Sequence, residues 1–229
     1  MPLTAALKRI VVVAALSGLI SGIVMTAAQW VRVVPLILEA ETYEVAGDAA
    51  GAASEHAGHD GMAAWSLADG WQRTVSSFLA NLLAAVGFAL LLTAGLYLSG
   101  HAGWRQGLWW GLAGFLTFTL APALGLPPEP PGLEAAPLAA RQAWWLGTVV
   151  ATGGGLALIV LLRRPWSIAL GAALTALPHL IGAPRPELGG GVAPEYLAGE
   201  FAVAVVVTGL VFWLVLGATT GALYRRLSA

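Results

Sequence analysis

The side chains able to do chemistry are few and unevenly placed. The first group is Leu38-Glu39-Ala40-Glu41-Thr42-Tyr43-Glu44, where an apolar run beginning at Ile10 gives out. If the chain stays helical past Pro35, Glu41 and Glu44 stand three apart on one face, and their carboxylate oxygens can share a hard or borderline divalent cation. An acidic helix end standing in water has the same spacing. The second group is Glu55-His56-Ala57-Gly58-His59-Asp60, with two imidazoles three apart, each beside a carboxylate. That set suits Co²⁺, Ni²⁺, Zn²⁺ or Cu²⁺. The surrounding stretch, 46–64, is too rich in small residues to build a core, so it reads as a flexible metal-catching arm, with an inert linker as the alternative.

His179 is a different case. It follows Pro178 at the outer boundary of an apolar segment, and an ionisable residue at membrane depth is costly enough to count as a functional candidate. A histidine touching lipid headgroups is the blander reading. Glu129 follows a proline-ended segment in the same way. Gln29, Glu39, Asn81, Arg141 and Gln142 are candidates to line or support a path. For polar residues within spans, hydrogen bonding between helices is the commoner role. The tryptophans read as an aromatic belt near segment ends and are assigned no chemistry.

These residues must be positioned by elements that live in lipid. Of 229 residues, 58% are hydrophobic and 10% charged, too few charges to cover a soluble domain of this length. Six apolar segments approach the roughly 20 residues that cross a bilayer: 10–34, 74–98, 107–124, 143–162, 166–181 and 201–223. The fifth is short and broken by Pro178, so five spans with a re-entrant segment is the rival count. The first run is too long for the apolar part of a cleaved signal and reads as a retained helix. The expectation is an all-α polytopic bundle forming one transmembrane domain, with an outer loop over 39–72.

Charge sets its orientation. With the N-terminus cytoplasmic, Lys8, Arg9, Arg105, Arg163, Arg164, Arg225 and Arg226 fall inside, and Arg32, Arg73, Arg141 and Arg185 fall outside. That excess has the sign of the positive-inside rule and places both termini in the cytoplasm. Every Asp and Glu then lies on the outer side, in the three outer loops or at their borders. A rim of carboxylates on one face focuses cations; a merely solvated acidic surface is the alternative. A faint repeat, in which the first, third and fifth segments end near a proline followed by acid, suggests three hairpins around an outer vestibule, with chance similarity among proline-ended helices as the alternative.

The 29 glycines and 13 prolines suit close helix packing and broken helix ends. The absence of cysteine excludes disulfides and thiolate metal sites. There is no Walker sequence, no HExxH and no acid pair at mid-span, so neither an enzyme nor a nucleic-acid partner is expected.

Several blocks together resemble the CbtA family of predicted bacterial cobalt transporter subunits. They are PLILEAETYE at 35–44, GFALLL at 87–92, WWGLAGF at 109–115, APALGLPPE at 121–129, ARQAWW at 140–145, LPHLIGAP at 177–184 and FWLVLG at 212–217. The resemblance implies a bacterial inner-membrane protein associated with cobalamin biosynthesis, with about five spans, paired with a second subunit that is small, single-helix and histidine-containing. It implies cobalt uptake. The resulting expectation is a permease subunit for a divalent transition metal, Co²⁺ foremost, with Glu41, Glu44, His56, His59, Glu129 and His179 as metal donors. No tightly bound cofactor is expected, and a homo-oligomer is compatible with the composition. The same permease acting on Ni²⁺, or a non-transporting scaffold, are the alternatives.

Overall fold

The computed structural model describes residues 3–52, 70–186 and 191–228. These form seven helices and, among the described residues, a single isolated β-bridge between Leu133 and Gly191. Helix α1 (Leu3–Arg32) is the first span. Pro35 then supplies no N–H to the helical ladder, and the chain bends at Val33 before restarting as α2 (Val34–Ala52). The backbone stays bonded through the bend, with Val33 N–H on Gln29 O at 2.8 Å and Ile37 N–H on Val33 O at 3.1 Å. The acidic exit of the first span is therefore helical, which meets the condition for Glu41 and Glu44 to share a face.

Helix α3 (Trp71–Ser99) ends at Gly100, whose φ of 68° makes a left-handed cap with its N–H on Tyr97 O. A four-residue turn leads into α4 (Trp104–Gly125), and α5 (Leu138–Leu162) turns back sharply into α6 (Pro165–Ile181). Helix α7 (Glu195–Arg226) has 32 residues, about 48 Å at 1.5 Å each, and overruns a hydrocarbon core of about 30 Å. Five helices, α1, α3, α4, α5 and α7, are long and apolar enough to cross a membrane. Helix α6 has 17 residues, about 26 Å, because Pro165 starts it and Gly182 stops it.

Helices α1, α3, α4 and α7 form the core, with α7 touching all three others, while α6 packs chiefly on α5. Lipid gives apolar helices no hydrophobic reason to associate, so close backbone approach must hold them. Gly107 and Gly111 of α4 face Gly217 and Gly221 of α7, four residues apart on each helix. A Cβ at any of the four would run into the opposing backbone. Gly18 and Gly22 do the same for α1 against Val86 and Leu82 of α3, and Gly155 against Gly171 joins α5 to α6.

Charged groups mark two ends of the bundle, one with Arg9 and Arg225, the other with the carboxylates together with Arg73 and Arg141. At the basic end, Arg9 donates to Ser228 Oγ at 2.6 Å and lies over the Tyr224 ring, and Arg225 approaches Gly103. At the acidic end, α2 is pinned across the bundle. Its buried Ala40 packs with Ala193 and Leu197, Tyr196 O–H donates to Glu39 Oε1 at 2.9 Å, and Arg73 grips Glu41 with two N–H bonds of 2.5 and 3.1 Å.

Candidate metal entrance

The site begins with a fault in α4. Over Leu116–Leu120 the helix widens, so that Ala121 N–H reaches back five residues to Leu116 O, and Pro122 next withholds a donor from the carbonyls one turn earlier. Irregular backbone at membrane depth persists where it lines a cavity or is covered by protein. Here it does the former. A cavity of about 360 Å³ lies against it, bounded by Met25 of α1, Asn81 and Phe88 of α3, Phe118, Thr119 and Pro122 of α4, Trp145 of α5, and Gly209 and Trp213 of α7.

The mouth is at the acidic end. There the 126–129 segment contributes Glu129 and the first turn of α5 contributes Arg141, with no ion pair between them among the described residues. The floor is aromatic. Phe88 lies 4.8 Å from Trp213 and 5.0 Å from Phe118, and the Phe118 and Trp213 rings stack at 5.7 Å and 14°. Trp213 is only 3% exposed and donates its indole N–H to Thr119 Oγ1 at 3.0 Å, which ties the widened turn to α7. Trp213 stands 18 residues into α7, about 27 Å from Glu195, so the cavity reaches mid-bundle. Beyond these rings, toward the basic end, α4 and α7 cross at their glycines and Val13, Leu96 and Tyr224 pack together.

One wall carries a polar cluster. Asn81 Nδ2 donates to Thr26 Oγ1 at 3.0 Å and to Gln29 Oε1 at 2.6 Å, joining α3 to α1.

Of the residues singled out from the sequence, Glu129, Asn81 and Arg141 line this cavity and Gln29 supports its wall. Glu41 is engaged by Arg73 and Glu39 by Tyr196, whereas Glu44 is exposed beside Gly132. His179 is outside the lining. Its ring meets Trp144 edge-on at 6.0 Å, and its Nδ1 lies near Gly125 at the end of α4. Gln142, beside Arg141, is exposed, and His56 and His59 lie outside the described residues. Among the described residues no three His, Asp or Glu side chains come together as a metal cluster. Met25, Phe88, Phe118, Trp145 and Trp213 were not read from the sequence as lining, whereas Thr119, a polar residue within a span, could be. For Trp213 a signal existed: it sits mid-segment, far from the interface where a belt tryptophan belongs.

With its described residues almost entirely helical and five helices long and apolar enough to cross a membrane, the chain has the make-up of a multi-pass membrane protein. The family model described as "Probable cobalt transporter subunit (CbtA)" matches residues 7–225, and the chain belongs to that family. The family's description is that of a transporter component, not of an enzyme. No curated protein and no solved structure matches the chain.

Proposed function

We propose that this chain is the permease subunit through which a divalent transition metal, Co²⁺ foremost, enters the bundle from its acidic face. The observation that carries this reading is the cavity with Glu129 at its mouth and an aromatic floor at mid-bundle. Its volume of about 360 Å³ exceeds the ~180 Å³ taken by six waters at roughly 30 Å³ each, which leaves room by volume for an ion with its water shell. The outer carboxylates raise the local cation concentration by Coulomb focusing, and His56 and His59 add imidazole donors to that capture. Glu129 then meets the ion at the mouth, Glu44 stands nearby on α2, and His179 supplies a nitrogen donor at the same end.

Glu41 has a different task in this scheme. Paired with Arg73, it holds α2 over the acidic end, and a metal ion would have to displace that guanidinium to use it. The acidic face is outward and both termini are cytoplasmic, in the inner membrane of a bacterium. A small histidine-containing partner protein completes the transporter, and the cobalt serves cobalamin synthesis.

The test is ⁵⁷Co²⁺ accumulation in cells lacking other cobalt importers, with and without that partner. Accumulation that depends on this chain and competes with Ni²⁺ supports the permease. A chain that inserts normally yet adds no uptake under either condition is a scaffold, and the reading falls.

A further inference from the structure

Hydrogen bonds have direction, and the polar cluster on the cavity wall is fixed by it. Thr26 has one hydroxyl hydrogen and gives it to Gly22 O at 2.9 Å. Its oxygen can therefore only accept from Asn81, which makes the atom of Asn81 at 3.0 Å the amide nitrogen. The second amide hydrogen goes to Gln29 Oε1 at 2.6 Å. Both donors of Asn81 are thus spent on α1. What remains is Oδ1, which accepts from no described group, on a residue that lines the cavity. An amide whose two hydrogens are donated is polarised, and its oxygen becomes a stronger acceptor and ligand. Met25, adjacent to Thr26 in α1 and bearing a thioether, lines the same cavity.

We infer that Asn81 Oδ1, with Met25, forms a neutral binding position for a divalent transition metal that has shed part of its water shell inside the bundle. Thr26 is the positioning residue that holds the amide oxygen available. This rests on the reading of the cavity as the ion route and adds to it where the ion is held after Glu129. An oxygen and a thioether suit a borderline ion better than Mg²⁺ or Ca²⁺, which prefer all-oxygen shells. A site without formal charge binds weakly enough to release, as a conducting path requires.

The experiment measures initial rates of ⁵⁷Co²⁺ uptake against concentration in cells carrying the full chain and its partner, with membrane levels checked by immunoblot. Asn81→Leu removes the oxygen. Thr26→Val removes the acceptor that orients it at nearly constant volume, and Thr26→Ser keeps that acceptor. The expected result is a half-saturation concentration raised about tenfold in N81L and T26V with the maximal rate little changed, and wild-type behaviour in T26S. If N81L fails to accumulate in the membrane, the T26V and T26S pair decides. Wild-type concentration dependence in T26V, or the same defect in T26S, overturns the inference. Ala84→Phe, which fills the cavity, separates the two levels. Uptake surviving A84F removes the cavity as the route, whereas loss in A84F with unaltered half-saturation in N81L and T26V removes the Asn81 position alone.

Discussion

Trp213 of α7 donates its indole N–H to the hydroxyl of Thr119, which lies in the widened turn of α4, across 3.0 Å. This bond joins the two helices at the point where the α4 ladder is irregular and the cavity ends. Trp213→Phe keeps an aromatic ring in the floor and removes the donor; Thr119→Val removes the acceptor. Each single change should destabilise the protein in detergent by about 1 kcal/mol, with a coupling of about 0.6 kcal/mol in the double-mutant cycle. Strictly additive effects would show that the bond does not link the helices energetically.

Glu129 and Arg141 share the cavity mouth with opposite charges, and they should act in opposite directions on a cation. Glu129→Gln is expected to slow Co²⁺ uptake at low concentration by about tenfold, and Arg141→Gln to speed it, both effects shrinking as salt screens the field. The measurement is the uptake rate at sub-saturating Co²⁺ in low and high salt. A decrease in both variants would indicate that the mouth recognises a zwitterionic or chelated species.

The α4–α7 crossing tolerates no side chain at its glycines. Gly107→Leu or Gly217→Leu places carbon where the opposing backbone already lies, so the helices must part. Such overpacking costs roughly 1–3 kcal/mol in ordinary cores, and backbone-to-backbone contact belongs at the upper end. Thermal unfolding in detergent should show it. Gly87→Leu, at a position with open space around it, is the control and should be near neutral.

Glu41 and Arg73 are each about one-third exposed, which moderates their two-bonded pair. A coupling of about 0.2–1 kcal/mol is expected from the cycle of Glu41→Gln and Arg73→Gln, decreasing with salt. The functional readout is sharper. If the pair holds α2 and does not bind metal, E41Q should leave the Co²⁺ half-saturation unchanged and quicken backbone hydrogen exchange in the 34–46 part of α2.

How the site relates to the sequence is clearest from particular residues. Glu129 and Asn81 were legible, because a carboxylate beside a proline-ended segment and an amide within a span are conspicuous in apolar surroundings. The floor was not. Phe88 and Phe118 stand in segments where nearly every neighbour is apolar, so nothing in their spacing separates a cavity-facing ring from a lipid-facing one; only Trp213, by its mid-segment place, carried a signal.

What the sequence determined by itself was the class of protein, apolar helices, since lipid leaves backbone groups no other partner, and the exclusion of every carboxylate from the interior of those spans. The glycines announced close packing without naming the pairs. Only the tertiary structure decided which residues meet: Gly107 with Gly217, Glu41 with Arg73, Trp213 with Thr119, Asn81 with Thr26 and Gln29. The reason is physical. A soluble helix marks its buried face by polarity, whereas a membrane helix is apolar on both its lipid face and its packed face, so its partners emerge only from how shapes and hydrogen bonds fit across the bundle.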